Sequence, residues 1–125
     1  AICNYQKALG INSDLAIVKS YLALALYLEY LNNLESGITT SLGEWAKYRT
    51  EALRAAKNDS SMDASLRACI YLNAAATYMA SDNYLQAQQK LDTAKHFVEI
   101  YKNQKRNKKW KRQKPKKQRK TFNKA

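Results

Sequence analysis

The sequence predicts an all-α fold built from antiparallel helical hairpins, and three observations carry that reading. Three Gly and one Pro in 125 residues are too few breakers to punctuate a set of short strands. Ala, Leu, Lys, Gln and Glu, which enter helices at little cost, fill much of the remainder. Apolar residues recur at three- and four-residue intervals inside blocks separated by short polar clusters. A chain of this length supports one modest core and no second domain of ordinary size.

Asn12, Ser13 and Asp14 offer a helix N-cap, and an apolar run follows to about residue 34, where Glu35, Ser36 and Gly37 end it. Within it, residues 15–31 are apolar except where Lys19, Ser20 and Glu29 interrupt. At about 17 residues the run is short for a membrane span, so it predicts a core helix buried on more than one side. Ser41-Leu42-Gly43-Glu44 has the form of a capping box, in which the serine oxygen takes an amide of the first turn and the glutamate reaches back. The helix it opens runs to about Lys57. Asn58, Asp59, Ser60 and Ser61 form the next turn, with Ser60 and Asp63 placed as a further cap, and a helix is expected from about Ser61 to Ala80. Ser81, Asp82 and Asn83 break it. A last helix begins near Tyr84 and runs at least to Tyr101, with room to continue toward Gln113 before Pro115 stops it.

Spacing inside these helices predicts how they pack. The last reads Tyr84, Ala87, Leu91, Ala94, and the helix after the capping box reads Trp45, Tyr48, Ala52, Ala55, the same 3-4-3 spacing with a large aromatic first and small residues later. Small residues on one stripe let a neighbouring helix approach closely. Tyr71, Ala74, Ala75 and Tyr78 supply the complement for the last helix, and Leu22, Ala23 and Leu26 for the earlier one. Nine tyrosines at such spacing read as interhelix packing.

Residues 72–94, with Ala75, Tyr78, Tyr84, Ala87, Leu91 and Ala94, resemble one tetratricopeptide (TPR) repeat, a helix–turn–helix of about 34 residues. Residues 1–12, with Ala1 and Ala8 at the small-residue positions, resemble the second helix and exit turn of such a repeat. The resemblance implies about two and a half repeats over about 100 residues, as part of a longer array or a member without its first helix. The chain departs from the family in the long connection over residues 32–40, in having no Pro to close a repeat, and in Ala23 and Ala75 where Gly usually stands. An unrelated four- or five-helix bundle is the alternative, with the same fold class. Members commonly bind peptides in the groove of their first helices, which here implies Ile17, Leu24, Tyr27, Leu72, Ala76 and Met79 as groove-facing positions. All six are apolar. The Lys and Asn residues that clamp a terminal carboxylate in some members do not stand there, so the resemblance implies a seat for a partner's helix or hydrophobic segment, or for the rest of a parent chain.

Nothing in the sequence assembles a nucleophile, base and oxyanion site, so no enzyme, cofactor, metal or small-molecule substrate is expected. His96, the one histidine, reads as a surface residue. Cys3 and Cys69 lack metal-ligand spacing and read as small apolar helix residues in a reducing compartment, with a disulfide between them as the secreted alternative. Asn58-Asp59-Ser60 is a formal glycosylation sequon. No secretory signal is read, and an intracellular, cytoplasmic or nuclear setting is expected.

Charge divides the chain. Residues 1–101 carry nine Lys/Arg against ten Asp/Glu, whereas residues 102–125 carry thirteen Lys/Arg and no acid. The first segment is expected to be the helical domain, the second a basic tail, disordered or a helix extension. Such a segment gains free energy by displacing counterions from a polyanion, which points to nucleic-acid backbone, RNA or DNA. Its expected contacts are Lys105, Arg106, Lys108, Lys109, Lys111, Arg112, Lys114, Lys116, Lys117, Arg119 and Lys120, with Trp110 and Phe122 available for base stacking. Nuclear targeting, contact with an anionic membrane or acidic protein surface, and plain solubilisation are the other readings of the tail. The sequence therefore suggests an adaptor that docks a protein with its body and nucleic acid with its tail. A structural subunit that assembles through its helices and packages nucleic acid is the rival.

Overall fold

A computed structural model describes residues 2–37 and 43–113. Among them the chain forms five helices and no strand: α1 (Ile2–Ile11), α2 (Ala16–Glu35), α3 (Gly43–Asn58), α4 (Ala64–Ala80) and α5 (Tyr84–Gln113). The all-α expectation holds.

The helix ends are set by backbone geometry more than by side-chain caps. Leu15, and none of Asn12, Ser13 and Asp14, stands at the N-cap of α2, and it makes no side-chain cap. Asn12 instead accepts the amide of Asp14 at 3.0 Å, an Asx turn that carries the chain out of α1. Gly37, at φ 76°, closes α2 with its amide on Leu34 O at 3.1 Å. That left-handed conformation costs a glycine no steric clash. The capping serine, Ser41, lies outside the described residues.

The turn before α4 departs from expectation. Asp63 occupies the N-cap but makes no side-chain cap, and the helix starts at Ala64, three residues after Ser61. Asp59 organises the turn: its carboxylate accepts from both the amide and the hydroxyl of Ser61, and Arg67 reaches back to its carbonyl. The two bonds from Ser61 to the charged form, the hydroxyl's first, hold the Asp59 carboxyl below its ordinary range. At the far end of α4, Asn83 N–H bonds Tyr78 O at 2.9 Å and Asp82 N–H bonds Met79 O at 3.1 Å. This is a Schellman closure with Asp82, at φ 61°, in the left-handed place.

Neighbouring helices pair in opposite directions. On α2 and α3, Tyr27 meets Trp45 edge-on at 4.5 Å while Lys19 bridges Glu51 at 2.9 Å, so the register runs backwards along the second helix. On α4 and α5, the short turn at Ser81–Asn83 folds the chain back, and Tyr71 stacks on Phe97 at 5.8 Å. Helix α4 also lies against α2, joined by an Asn73–Ser20 hydrogen bond of 3.1 Å. Helix α1 has no buried residue and leans on α2 through Tyr5 and Tyr21.

The centre is built from small side chains. Ala16, Ala52, Ala56, Ile70, Tyr71 and Ala94 form the core cluster, flanked by Ile17, Leu53, Ala55, Met62 and Phe97. Ala87 and Ala94 are sealed on α5, as their stripe predicts, and Leu22 and Ala23 on α2. The aromatic that opens the α5 stripe behaves differently: Tyr84 is exposed, and its hydroxyl bonds Asp82 at 3.0 Å. On α3 the close approach is made by Ala52 and Ala56, with Ala55 only half-buried. The predicted stripe holds at Trp45 and Ala52, and only its last position passes from Ala55 to Ala56.

Candidate functional site

Two surfaces stand out, an apolar face on α4 and the basic end of α5. Leu72, Ala76 and Met79, at i, i+4 and i+7, share an exposed face of α4. They are three of the six positions that the repeat resemblance places in a groove. The other three are drawn inward to differing depths. Tyr27 is only 4% exposed, held against Trp45, so its ring is core and not docking surface. Ile17 packs on the core cluster, and Leu24 is half-buried. Burial of an aromatic ring outweighs any advantage of leaving it at a surface, which is why Tyr27 turns toward α3.

Arg49 is the polar feature that sequence reading passed over. Its guanidinium lies 4.7 Å from the Trp45 ring and 3.8 Å from the Tyr78 ring, and Nη1 donates to Thr77 Oγ1 at 3.2 Å. Among the described residues no carboxylate pairs with it, and its Nε and the Trp45 Nε1 are buried without a partner. Burial pulls its pKa below the ordinary arginine value, with Tyr78 and then Tyr27 opposing. Two aromatic faces stand in for the missing anion, each worth about 0.5–2 kcal/mol. The i, i+4 spacing of Trp45 and Arg49 was the available signal. Its partner Tyr78, 29 residues away on another helix, was not legible.

The basic surface begins where packing stops. Helix α5 runs on without a break past Tyr101 to Gln113, and residues 102–109 are exposed throughout. Lys102 approaches Glu99, the last acid of the chain, at 3.8 Å, with both side chains more than half exposed. Such a pair contributes little. Beyond it Lys105, Arg106, Lys108 and Lys109 have no acid within reach along the helix, and each like-charged pair at i, i+3 or i, i+4 costs about 0.2–0.5 kcal/mol. Cations near a helix C-terminus are favoured by its dipole, which partly offsets that repulsion. Tyr101, Gln104, Lys105, Lys108 and Lys109 line one shallow depression along the helix. Trp110, Lys111 and Arg112 fall on the last turn of α5. Lys114, Lys116, Lys117, Arg119, Lys120 and Phe122 lie outside the described residues.

His96 is exposed and meets the edge of Phe97 at 5.4 Å. Cys3 is exposed and Cys69 half-buried, and both are free thiols. Among the described residues no group of three or more His, Cys, Asp or Glu is placed to hold a metal, and no helix is long and apolar enough to cross a membrane. Comparison with protein families, curated proteins and solved structures returned no match.

Proposed function

We propose that this chain is a non-enzymatic helical adaptor, TPR-like in its body, that docks a protein partner through the body and contacts nucleic-acid backbone through its basic C-terminal segment. The carrying observation is the segregation of charge: thirteen cations and no acid follow residue 101, and their first eight residues stand exposed on a helix anchored in the body. A near-neutral body with a polycationic arm suits a molecule that joins two kinds of partner. The arm binds phosphates by releasing counterions, with little demand on shape. The face of Leu72, Ala76 and Met79 is the docking surface we assign to the protein partner.

A salt titration of binding to labelled RNA and DNA tests the nucleic-acid half, with the whole chain beside a 1–101 truncation. Affinity should fall steeply with salt for the whole chain and be lost in the truncation, while the truncated body keeps its melting temperature. Binding that survives the truncation, or its absence from the whole chain at low salt, would remove nucleic acid from this function.

A further inference from the structure

Resting on that reading of the basic segment, we infer that the free end of α5, residues 102–113, is a rod for duplex DNA and seats in the major groove. The partner is selected by geometry as well as charge. A disordered arm follows any polyanion, but α5 is one helix from Tyr84 to Gln113, held to the body by Ala87, Ala94 and Phe97. Its free end therefore leaves the body along a set axis. Twelve residues at the helical rise span about 18 Å, and a helix with its side chains is about 10–12 Å across. The major groove of B-DNA, about 12 Å wide, admits a rod of that size.

The placement of side chains agrees. Residues 102–109 are exposed on every side, so no flank of the rod is taken by the body. At the helical period Lys102, Lys105, Arg106, Lys108 and Lys109 share one broad face, a little under half of the circumference, with Arg106 and Lys108 at its two edges toward the walls of a groove.

Two competing nucleic acids fit less well. Single strands are gripped by successive aromatic platforms, and the rod carries one aromatic, Trp110. Duplex RNA has a deep, narrow major groove that does not admit a helix. Binding also couples to helix order. The cations of the rod repel one another along its length, and phosphates on either side remove that repulsion, so the duplex is expected to stabilise the helix that binds it.

The test uses the whole chain with duplex DNA, duplex RNA and single-stranded DNA of equal length, followed by fluorescence anisotropy, and circular dichroism of each complex. Two variants accompany it: Asn107→Pro, which breaks the rod and keeps every cation, and a variant with Lys105, Arg106, Lys108 and Lys109 all changed to Gln. Duplex DNA should bind about tenfold or more tighter than the single strand, and helical signal should rise on binding. Asn107→Pro should erase that preference while leaving salt-sensitive binding. The fourfold Gln variant should weaken all three. Equal affinity for single and double strands, a preference for duplex RNA, or an Asn107→Pro variant that still selects duplex DNA would overturn the rod and leave nucleic-acid binding standing. No binding to any of the three would overturn the underlying reading as well.

Discussion

Helix α5 is two helices in physical terms. From Tyr84 to Tyr101 it is held by burial: Ala87 and Ala94 are sealed against α4 and the core, and Phe97 stacks on Tyr71. From residue 102 through residue 109 every residue is exposed, and backbone hydrogen bonds, good helix formers, the dipole and the weak Lys102–Glu99 pair favour the helix against mutual repulsion. The first half is stabilised by the molecule it belongs to. The second is marginal alone and available to a partner, which is what a binding element needs. One secondary-structure element thus links a packed body to an electrostatic arm, and the boundary between them is set by where apolar residues run out.

The largest test of that contrast lies in the core. Ile70→Ala removes a sealed side chain among Ala52, Ala56 and Ala94 and should cost about 2–5 kcal/mol in chemical denaturation. A comparable loss from Lys108→Ala would erase the distinction between body and arm. Arg49→Ala should cost about 1–3 kcal/mol, since it strips a cation from between Trp45 and Tyr78. Arg49→Lys should recover only part of this, because a compact ammonium does not stack as a guanidinium does.

A smaller effect is expected from the Lys19–Glu51 bridge, which ties α2 to α3. The hydrogen bond from Lys19 chiefly lowers the Glu51 carboxyl below its ordinary value, with burial opposing. A depressed folded value means that stabilisation is complete above the ordinary glutamate range and is lost as pH falls through the folded value. Acid titration of stability should therefore show a loss below about pH 4.3 that Glu51→Gln lacks, of about 0.2–1 kcal/mol. Smallest of all, Lys108→Gln should shift body stability by no more than about 0.5 kcal/mol. The same change should reduce the salt slope of duplex binding by about 0.9 if Lys108 meets a phosphate. An unchanged slope would exclude Lys108 from the contact.

The candidate surfaces were legible to different degrees. The basic segment was plain in the sequence, because charge needs no fold to be counted, and Pro115 marks where a helix must give way. The apolar face came with the repeat resemblance, which groups Leu72, Ala76 and Met79 on one side of a helix whatever packs nearby. Tyr27 was misplaced because its neighbour Trp45 comes from another helix, across a connection whose path local spacing does not encode. Asp63 was a reasonable cap by composition, yet the turn closes on Asp59, since Ser61 and Arg67 meet it in space.

The sequence alone determined the all-α class, the approximate limits of helices α2 to α5, the small-residue stripes and the split between a neutral body and a cationic end. Those are local properties, set by propensity, breakers and the 3.6-residue period. Only the tertiary structure decided which side of each helix is interior, that Ala56 lies deeper than Ala55, that Arg49 is held between two aromatic rings, and where α5 parts from the body. Each of these depends on atoms brought together from distant positions. An apolar stripe encodes a wish to be buried, and packing alone chooses against what.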